Sequence, residues 1–163
     1  MTSNEIEICL ANHFGYRQNQ IVPNVSYGLG LHEVDLLIVS KSRYCTEIEI
    51  KVSISDLKAD FKKEHHHKSK KIKYFYYAIP EELKEKALPL IPEHAGLIVV
   101  KVHTLNVWEP TYCSIIKSPI VNKNARTLTS DELIKLGHLA SMRIWTLKEH
   151  LKNKRINNVS KVN

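Results

Sequence analysis

The chain has 163 residues, 43% apolar and 25% charged, as expected for one globular domain with its own core. No apolar run approaches the roughly 20 residues that a membrane helix needs, and the N-terminus lacks the basic and apolar regions of a signal peptide. The three cysteines include no Cys-x-x-Cys pair, which argues against a disulfide framework and a cysteine zinc site. We therefore expect a cytoplasmic protein that has no membrane partner.

Positive charge predominates, with 24 lysines and arginines against 17 acids and an isoelectric point near 9.3. Such a balance favours a polyanionic partner such as nucleic acid. The excess is concentrated between Lys58 and Lys73, where seven lysines and three histidines accompany only two acids. Three adjacent histidines, His65 to His67, cannot all face one ion from a helix, because successive side chains are about 100° apart. This stretch therefore indicates a basic surface rather than a zinc site.

The first predicted helix covers residues 4–14, with Ser3 or Asn4 as its cap, an apolar stripe that includes Ile6 and Leu10, and Gly15 just past its end. Residues 20–27 then predict a short strand, and Pro23 makes it an edge strand or an irregular one. A turn follows at residues 28–30, which contain two glycines but no phosphate-loop motif.

Residues 33–53 predict a β-hairpin that turns near residues 41–43. Strict alternation places Cys45, Glu47, Glu49, Lys51 and Ser53 on one face of its second strand. Asp35 stands on the first strand, and opposite residues of an antiparallel pair have Cβ atoms roughly 5 Å apart. Asp35 and Glu49 are therefore expected to converge, with Lys51 two residues further along the same face.

Helices and strands then alternate. Ser53 and Asp56 fit a capping box for a helix that buries Ile54, Leu57 and Phe61 and exposes lysines. The aromatic and β-branched residues 72–79 predict a strand, with Phe75 and Tyr77 on one side of it and Tyr74 and Tyr76 on the other. Pro80 opens a further helix that ends before Pro89, and residues 96–102 form a buried strand, beside which residues 106–108 pair.

Residues 109–128 look irregular or form short strands. Thr129 and Glu132 fit a second capping box, and the helix behind it carries one apolar stripe, with Trp145 expected to pack: Leu133, Leu136, Ala140, Ile144, Leu147, Leu151. Residues 157–163 are expected to form a flexible tail. The element order, α-β-β-β-α-β-α-β-α, predicts a single α/β domain over residues 1–156.

The hairpin face has a chemical use. Two carboxylates, from Asp35 and Glu49, with a main-chain carbonyl such as that of Ile50 and waters suit Mg²⁺ or Mn²⁺. Such an ion neutralises charge that develops on a phosphoryl group, and Lys51 would orient the attacking water or stabilise the transition state. The alternative interpretation is a solvated strand face, with a salt bridge worth under about 1 kcal/mol.

These residues also carry a resemblance. Asp35, then Glu49-Ile50-Lys51 after a hairpin, then a capped helix, resembles the PD-(D/E)XK nuclease superfamily, with Val34 where the motif has proline. The blocks EIKVSISDLKADF, KYFYYAIP and HAGLIVV are similar to the MmcB-like group of that superfamily, which is associated with DNA repair. The resemblance covers most of the chain. It implies a restriction-endonuclease-like core with a central mixed β-sheet flanked by helices.

By that resemblance, Asp35 and Glu49 are metal ligands and Lys51 is the catalytic lysine. An acid from the first helix, Glu5 or Glu7, completes the site; their angles from the apolar stripe are similar, and Glu5 is slightly preferred. Glu47 is expected to be a strand-face partner for a lysine.

The implied function is Mg²⁺- or Mn²⁺-dependent hydrolysis of phosphodiester bonds in DNA, by an endonuclease or an exonuclease, in repair or in a phage or mobile-element context. A homodimer is compatible with this function. A non-cleaving nucleic-acid-binding module and an RNA substrate remain the alternatives. The predicted contacts to phosphates are basic side chains: Arg17, Lys58, Lys62, Lys63, His67, Lys68, Lys70, Lys71.

Overall fold

A mixed β-sheet of six strands, ordered as they occur in the chain, organises the protein. The structure is a computed structural model that describes residues 1–26, 29–62, 69–101 and 111–159, and of residues 155–159 the backbone alone. The strands are β1 (Gln20–Val25), β2 (Val34–Val39), β3 (Cys45–Ile50), β4 (Ile72–Pro80), β5 (Gly96–Lys101) and β6 (Tyr112–Lys117). The central strands β3, β4 and β5 run parallel, and the outer pairs are antiparallel.

Helices cover both faces of the sheet. These are α1 (Ser3–His13), α2 (Ile54–Asp60), α3 (Lys84–Ala87) and α4 (Ser130–Val159), and short 3₁₀ turns at Glu81–Leu83 and Leu88–Leu90 flank α3. On one face, Ile6, Cys9 and Leu10 of α1 pack on side chains such as Ile48 and Ile98. On the other face, residues of α2, α3 and the first half of α4 pack on the alternate strand positions. The expected α/β architecture of a mixed sheet flanked by helices is confirmed.

The N-terminal elements differ from prediction only at their ends. Helix α1 begins one residue early, because Thr2 caps it: its hydroxyl accepts a hydrogen bond from the Glu5 amide at 3.3 Å, and Glu5 binds the Thr2 amide in return. Gly15 takes the left-handed conformation just past the helix, with φ +69°. Strand β1 lies at the sheet edge, as Pro23 requires, and ends at Val25.

The later elements follow the sequence closely, except at Pro80 and at β6, a sixth strand that the predicted order of elements lacks and that lies in the stretch expected to be irregular or to form short strands. Ser53 caps α2 by accepting from the Asp56 amide at 3.1 Å, and Thr129 and Glu132 form the full reciprocal box at the start of α4. Pro80 does not open a helix: it is the last residue of β4, with extended backbone, and caps the following 3₁₀ turn. Its fixed φ of −62° suits a strand end as well as a first helical position, so sequence alone does not separate the two. Residues 106–108 lie outside the described residues.

The apolar stripe of α4 is buried only in its first half. Leu136 is buried, whereas Ile144, Leu147 and Leu151 are each more than half exposed, and so is Trp145. Arg143 donates to the carbonyl of Asn24 on the edge strand β1, and Ile144 and Leu147 beyond it line an open cavity together with Glu7 and Pro23. The expected packing of Trp145 is therefore wrong. The backbone remains helical to Val159, into the segment expected to be a flexible tail.

None of the helices in the described part of the chain combines the length and apolar content that a bilayer crossing requires.

Candidate functional site

The hairpin brings Asp35 and Glu49 together at one end of the sheet. Leu37 pairs with Glu47 and Leu36 with Ile48, so the ladder between β2 and β3 places Asp35 opposite Glu49 as its next pair. The amide of Ile50 donates to Oδ2 of Asp35 at 2.8 Å, which holds that carboxylate over the end of β3. This end is the carboxyl end of the parallel strands, where ligands bind in many open α/β sheets. The convergence predicted from the alternating pattern is confirmed.

Lys51 is the centre of the cluster. Its amide donates to the Ala78 carbonyl on β4 at 2.9 Å, which fixes its backbone. Its ammonium lies 2.7 Å from Glu49 Oε2, 3.2 Å from Asp60 Oδ1 and 3.7 Å from Asp35 Oδ2. One cation therefore contacts three carboxylates that arrive from β2, β3 and α2.

The cluster is largely buried rather than solvent-exposed. Glu49 is 1% exposed and Lys51 5%, while Asp35 remains about one-third open to solvent. A solvated strand face, the alternative from sequence, is therefore wrong for this part of β3. Moving charges out of water is costly unless they are paired and hydrogen-bonded. The ion pairs of Lys51 meet that requirement in part, and Asp35 connects the cluster to solvent.

Asp60 and Tyr77 belong to the same cluster, although sequence reasoning did not select them. Asp60 is 3% exposed, and its Oδ2 accepts a hydrogen bond from the Tyr77 hydroxyl at 2.8 Å. The sequence did indicate that Asp60 is buried, because Asp60 follows Leu57 by three residues and so lies on the same face of the helix. Tyr77 pairs with Glu49 across parallel strands, and that register depends on the crossover rather than on any local pattern.

The electrostatic balance of the cluster favours a charged lysine. Burial is the largest single influence and on its own lowers the pKa of Lys51. The negative charges of Glu49, Asp35 and Asp60, with the hydrogen bond to Glu49, together outweigh burial and raise that pKa above its ordinary value. Lys51 is therefore an ammonium at neutral pH, able to stabilise negative charge but not to accept a proton.

Glu47, the other buried carboxylate of β3, contacts a histidine in the described part of the chain. Its Oε1 lies 2.7 Å from Nε2 of His32, and Glu47 itself has no exposed surface. The expected lysine partner stays a prediction, because Lys63 and Lys68 lie outside the described residues. His32 comes from the segment that enters β2, and no periodic pattern in that segment indicates where its side chain goes.

Of the two acids of α1, the geometry brings Glu7 and not Glu5 into the electrostatic range of Asp35. Glu5 is used in the N-terminal capping box, where its Oε2 accepts from the Thr2 amide at 2.6 Å. Glu7 is half-buried, and burial first, then the charge of Asp35, raises its pKa. The preference for Glu5 is thus reversed, because a capping box at Thr2 claims the third helical residue.

The basic residues that the structure describes are divided between the two ends of the sheet. Lys58 and Lys62 are exposed on and just after α2, close in sequence to Asp60. Lys70 and Lys71 precede Ile72, which pairs with Cys45 at the other end of β3. Four residues of strand separate Cys45 from Glu49, about 13 Å.

Lys71 is already engaged, since it donates to the Leu29 carbonyl and pairs with Glu132 at 3.0 Å. Arg17 lies over the Tyr16 ring. It precedes Gln20, the first residue of β1, which pairs with Val39 at the end of the sheet far from the cluster. Lys63, His67 and Lys68 lie outside the described residues.

The carboxylates of the cluster are the candidate ligands for a divalent cation. Among the residues that the structure describes, no group of three His, Cys, Asp or Glu side chains is arranged to hold a metal ion. The ammonium of Lys51, however, contacts both Asp35 and Glu49, so these two carboxylates are close enough to share one positive centre. Two carboxylates completed by waters and a carbonyl are the oxygen ligands that Mg²⁺ prefers. The residues present fit such an ion.

Comparison with known proteins extends the description of the fold. A solved structure of a protein of unknown function from Silicibacter pomeroyi resembles this chain with a TM-score of 0.62 and 17% sequence identity. The match covers 95% of this chain and 94% of that one, so the two share the fold over nearly their whole lengths. No protein-family model matches the chain, and no curated protein matches it either.

Proposed function

We propose that this protein is a divalent-metal-dependent DNA nuclease with a restriction-endonuclease-like core of the PD-(D/E)XK type. The observation that carries the proposal is the single ammonium of Lys51 in contact with Asp35 and Glu49 at the carboxyl end of β3. Two carboxylates that both contact one cation, one of them partly open to solvent, support the proposal that a metal ion and a phosphate meet at this end of the sheet.

Asp35, Glu49 and the carbonyl of Ile50 are the proposed ligands, and Glu7 replaces Glu5 as the acid from α1. When bound at these residues, a divalent ion would neutralise charge at the scissile phosphate and would lower the pKa of a bound water. The raised pKa of Lys51 gives it the role of a fixed positive charge toward the phosphate. Asp60 and Tyr77 are positioning residues: Asp60 pairs with the ammonium, and the Tyr77 hydroxyl orients Asp60.

DNA is proposed to approach along α2. Lys58 and Lys62 are exposed there, within two residues of Asp60. Lysine contacts to phosphates position a duplex without reading its sequence, and binding through them weakens steeply with added salt. Arg17, Lys70 and Lys71 are not part of this proposal, because they lie toward the other end of the sheet.

A non-cleaving nucleic-acid-binding module is the second candidate, and the burial of Glu49 and Lys51 favours it. In that case the ion pairs of Lys51 hold the sheet end together, and the lysines of α2 bind the backbone without chemistry. The two candidates differ in one outcome: whether phosphodiester bonds are broken when Mg²⁺ or Mn²⁺ is added.

The test is a cleavage assay on single-stranded, duplex, flapped and branched DNA with Mn²⁺ and with Mg²⁺, and with RNA as competitor. Lys51→Ala and Asp35→Asn should each reduce the cleavage rate by about 100-fold or more, since the first removes a positive charge at the phosphate and the second removes the charge of a proposed metal ligand. Lys58→Ala should weaken binding and leave the rate at saturating DNA unchanged. Competition by equal concentrations of RNA decides which nucleic acid is preferred.

Matched controls are available on the surface. Lys84 and Glu85 are an exposed pair 3.9 Å apart on α3, and Lys84→Ala and Glu85→Gln should cleave like wild type. Circular dichroism confirms that every variant is folded. If wild type binds DNA but leaves it intact with both metals, the nuclease proposal is refuted and the binding module stands.

A further inference from the structure

Two cysteines that are far apart in the sequence lie next to each other in the structure. Cys9 on α1 and Cys113 on β6 are 104 residues apart in the chain, yet their Sγ atoms lie 2.8 Å from each other. Both side chains belong to the same face of the sheet, where Cys113 packs against the cluster that contains Cys9. They connect the helix layer on that face to an edge strand of the sheet.

The geometry is close to that of a disulfide. A disulfide needs a sulfur–sulfur separation of about 2.05 Å, so the two sulfurs have less than about 1 Å still to close. Cysteine pairs whose backbones are badly placed cannot be joined without moving main chain, and this pair already meets through its side chains.

The two thiols differ in character and in access. The hydrogen bond with Cys113 lowers the pKa of Cys9, against the opposing effect of burial. Cys9 is 5% exposed, whereas Cys113 is half-buried, so a small oxidant reaches the pair from the side of β6. The two features that make protein cysteines reactive, a lowered thiol pKa and partial access to solvent, are thus divided between Cys9 and Cys113.

Cys45 provides an internal comparison. It has no exposed surface and lies on β3 in the cluster on the opposite face of the sheet. Burial raises its pKa to about 12. Cys45 is therefore expected to stay reduced under conditions in which the pair reacts.

We propose that Cys9 and Cys113 are a covalent modification site, at which a peroxide joins α1 to β6 through a reversible disulfide. The thiolate of Cys9 attacks the O–O bond of the peroxide, which breaks to give a sulfenic acid and hydroxide. The sulfur of Cys113 then attacks the sulfenic sulfur and displaces the hydroxyl group. In total two thiols and one hydrogen peroxide give one disulfide and two waters, and a dithiol reductant reverses the change. This site does not depend on the proposed nuclease activity.

The experiment treats the folded, full-length protein with hydrogen peroxide and then blocks the remaining thiols after unfolding. The reduced protein has three free cysteines, and the oxidised protein should retain one. Peptide mass spectrometry without reductant should find the peptides of Cys9 and Cys113 joined, and Cys45 alkylated. Dithiothreitol should restore all three thiols.

A second readout is thermal. Closing a loop of about 100 residues should raise the unfolding temperature by roughly 5 to 15 °C in the oxidised wild type. Cys113→Ser changes a half-buried residue and should fold, show no such shift after peroxide, and yield no joined peptide. Cys45→Ala is the matched control and should keep the shift.

Three free thiols after peroxide treatment would overturn the proposal. So would oxidation of Cys113 to sulfinic or sulfonic acid without a joined peptide, or a link between two copies of the chain in place of the internal one.

Discussion

Replacement of Lys51 by methionine tests whether the buried ion cluster depends on its cation. Methionine keeps most of the volume of the aliphatic part of the lysine side chain and removes the charge. Glu49 and Asp60 are 1% and 3% exposed, and both lose an ion pair that is 3.2 Å long or shorter. Removing one partner from a buried ion pair costs about 3–5 kcal/mol. Asp35 adds little, because it is 3.7 Å away and partly solvated.

The assay is urea unfolding followed by circular dichroism. With a denaturant dependence of about 2 kcal/mol per molar for a domain of this size, the midpoint should fall by about 1.5–2.5 M. The loss also depends on pH. The folded pKa of Lys51 is raised above 10.5, so its stabilisation is present in full below pH 10.5 and is lost as the pH rises through the folded value. Wild type should show this alkaline loss, and Lys51→Met should not.

Lys84→Met is the control, since Lys84 is 37% exposed and pairs only loosely with Glu85. Its free energy of unfolding should change by no more than about 0.5 kcal/mol. A destabilisation of Lys51→Met below about 1 kcal/mol would refute the reasoning, because the cluster would then behave like a solvated salt bridge. The double variant with Glu49→Gln measures the coupling between the two residues and should recover part of the loss.

Three further predictions concern neighbouring residues. Glu7→Gln should be more stable than wild type at pH 7, because burial and Asp35 raise the pKa of Glu7, and the gain should disappear on titration below pH 4.5. Glu5→Ala should instead lower stability, because it removes the carboxylate that accepts a hydrogen bond from the Thr2 amide. Tyr77→Phe should lose about 1.5–3 kcal/mol in urea unfolding, since its hydroxyl is the donor to a buried carboxylate; an unchanged midpoint would contradict that role. The pKa of Glu132 is lowered, first by Arg126, so wild type should lose stability as the pH falls from 4.5 and Glu132→Gln should lack this loss.

Much of the fold was accessible from local patterns. The alternation along β2 and β3 predicted the hairpin and the meeting of Asp35 with Glu49, because strand periodicity and an antiparallel ladder are short-range properties. The caps at Ser53 and Thr129 were found in the same way, since a capping box spans only four residues.

The remaining parts of the site depend on contacts between segments that the sequence pattern does not relate to each other. Asp60 reaches Lys51 only because the crossover between β3 and β4 lays α2 over the sheet end, and the choice of Glu7 required the true first residue of α1. A count of charges also does not show that Arg17, Lys70 and Lys71 lie at the end of the sheet far from the cluster. Charge density along a sequence does not indicate which end of a sheet each residue reaches.

By itself, the sequence determined the order of the elements from α1 to β5, the edge position of β1 and the pairing of Asp35 with Glu49. These are set by periodicity, proline and capping, which act over a few residues. Only the tertiary structure decided that the polar face of β3 is buried, that one lysine joins three carboxylates, that Cys9 meets Cys113, and that half of the α4 stripe is exposed. The reason is that burial depends on what the rest of the chain places over a face, whereas the pattern shows only which residues share it.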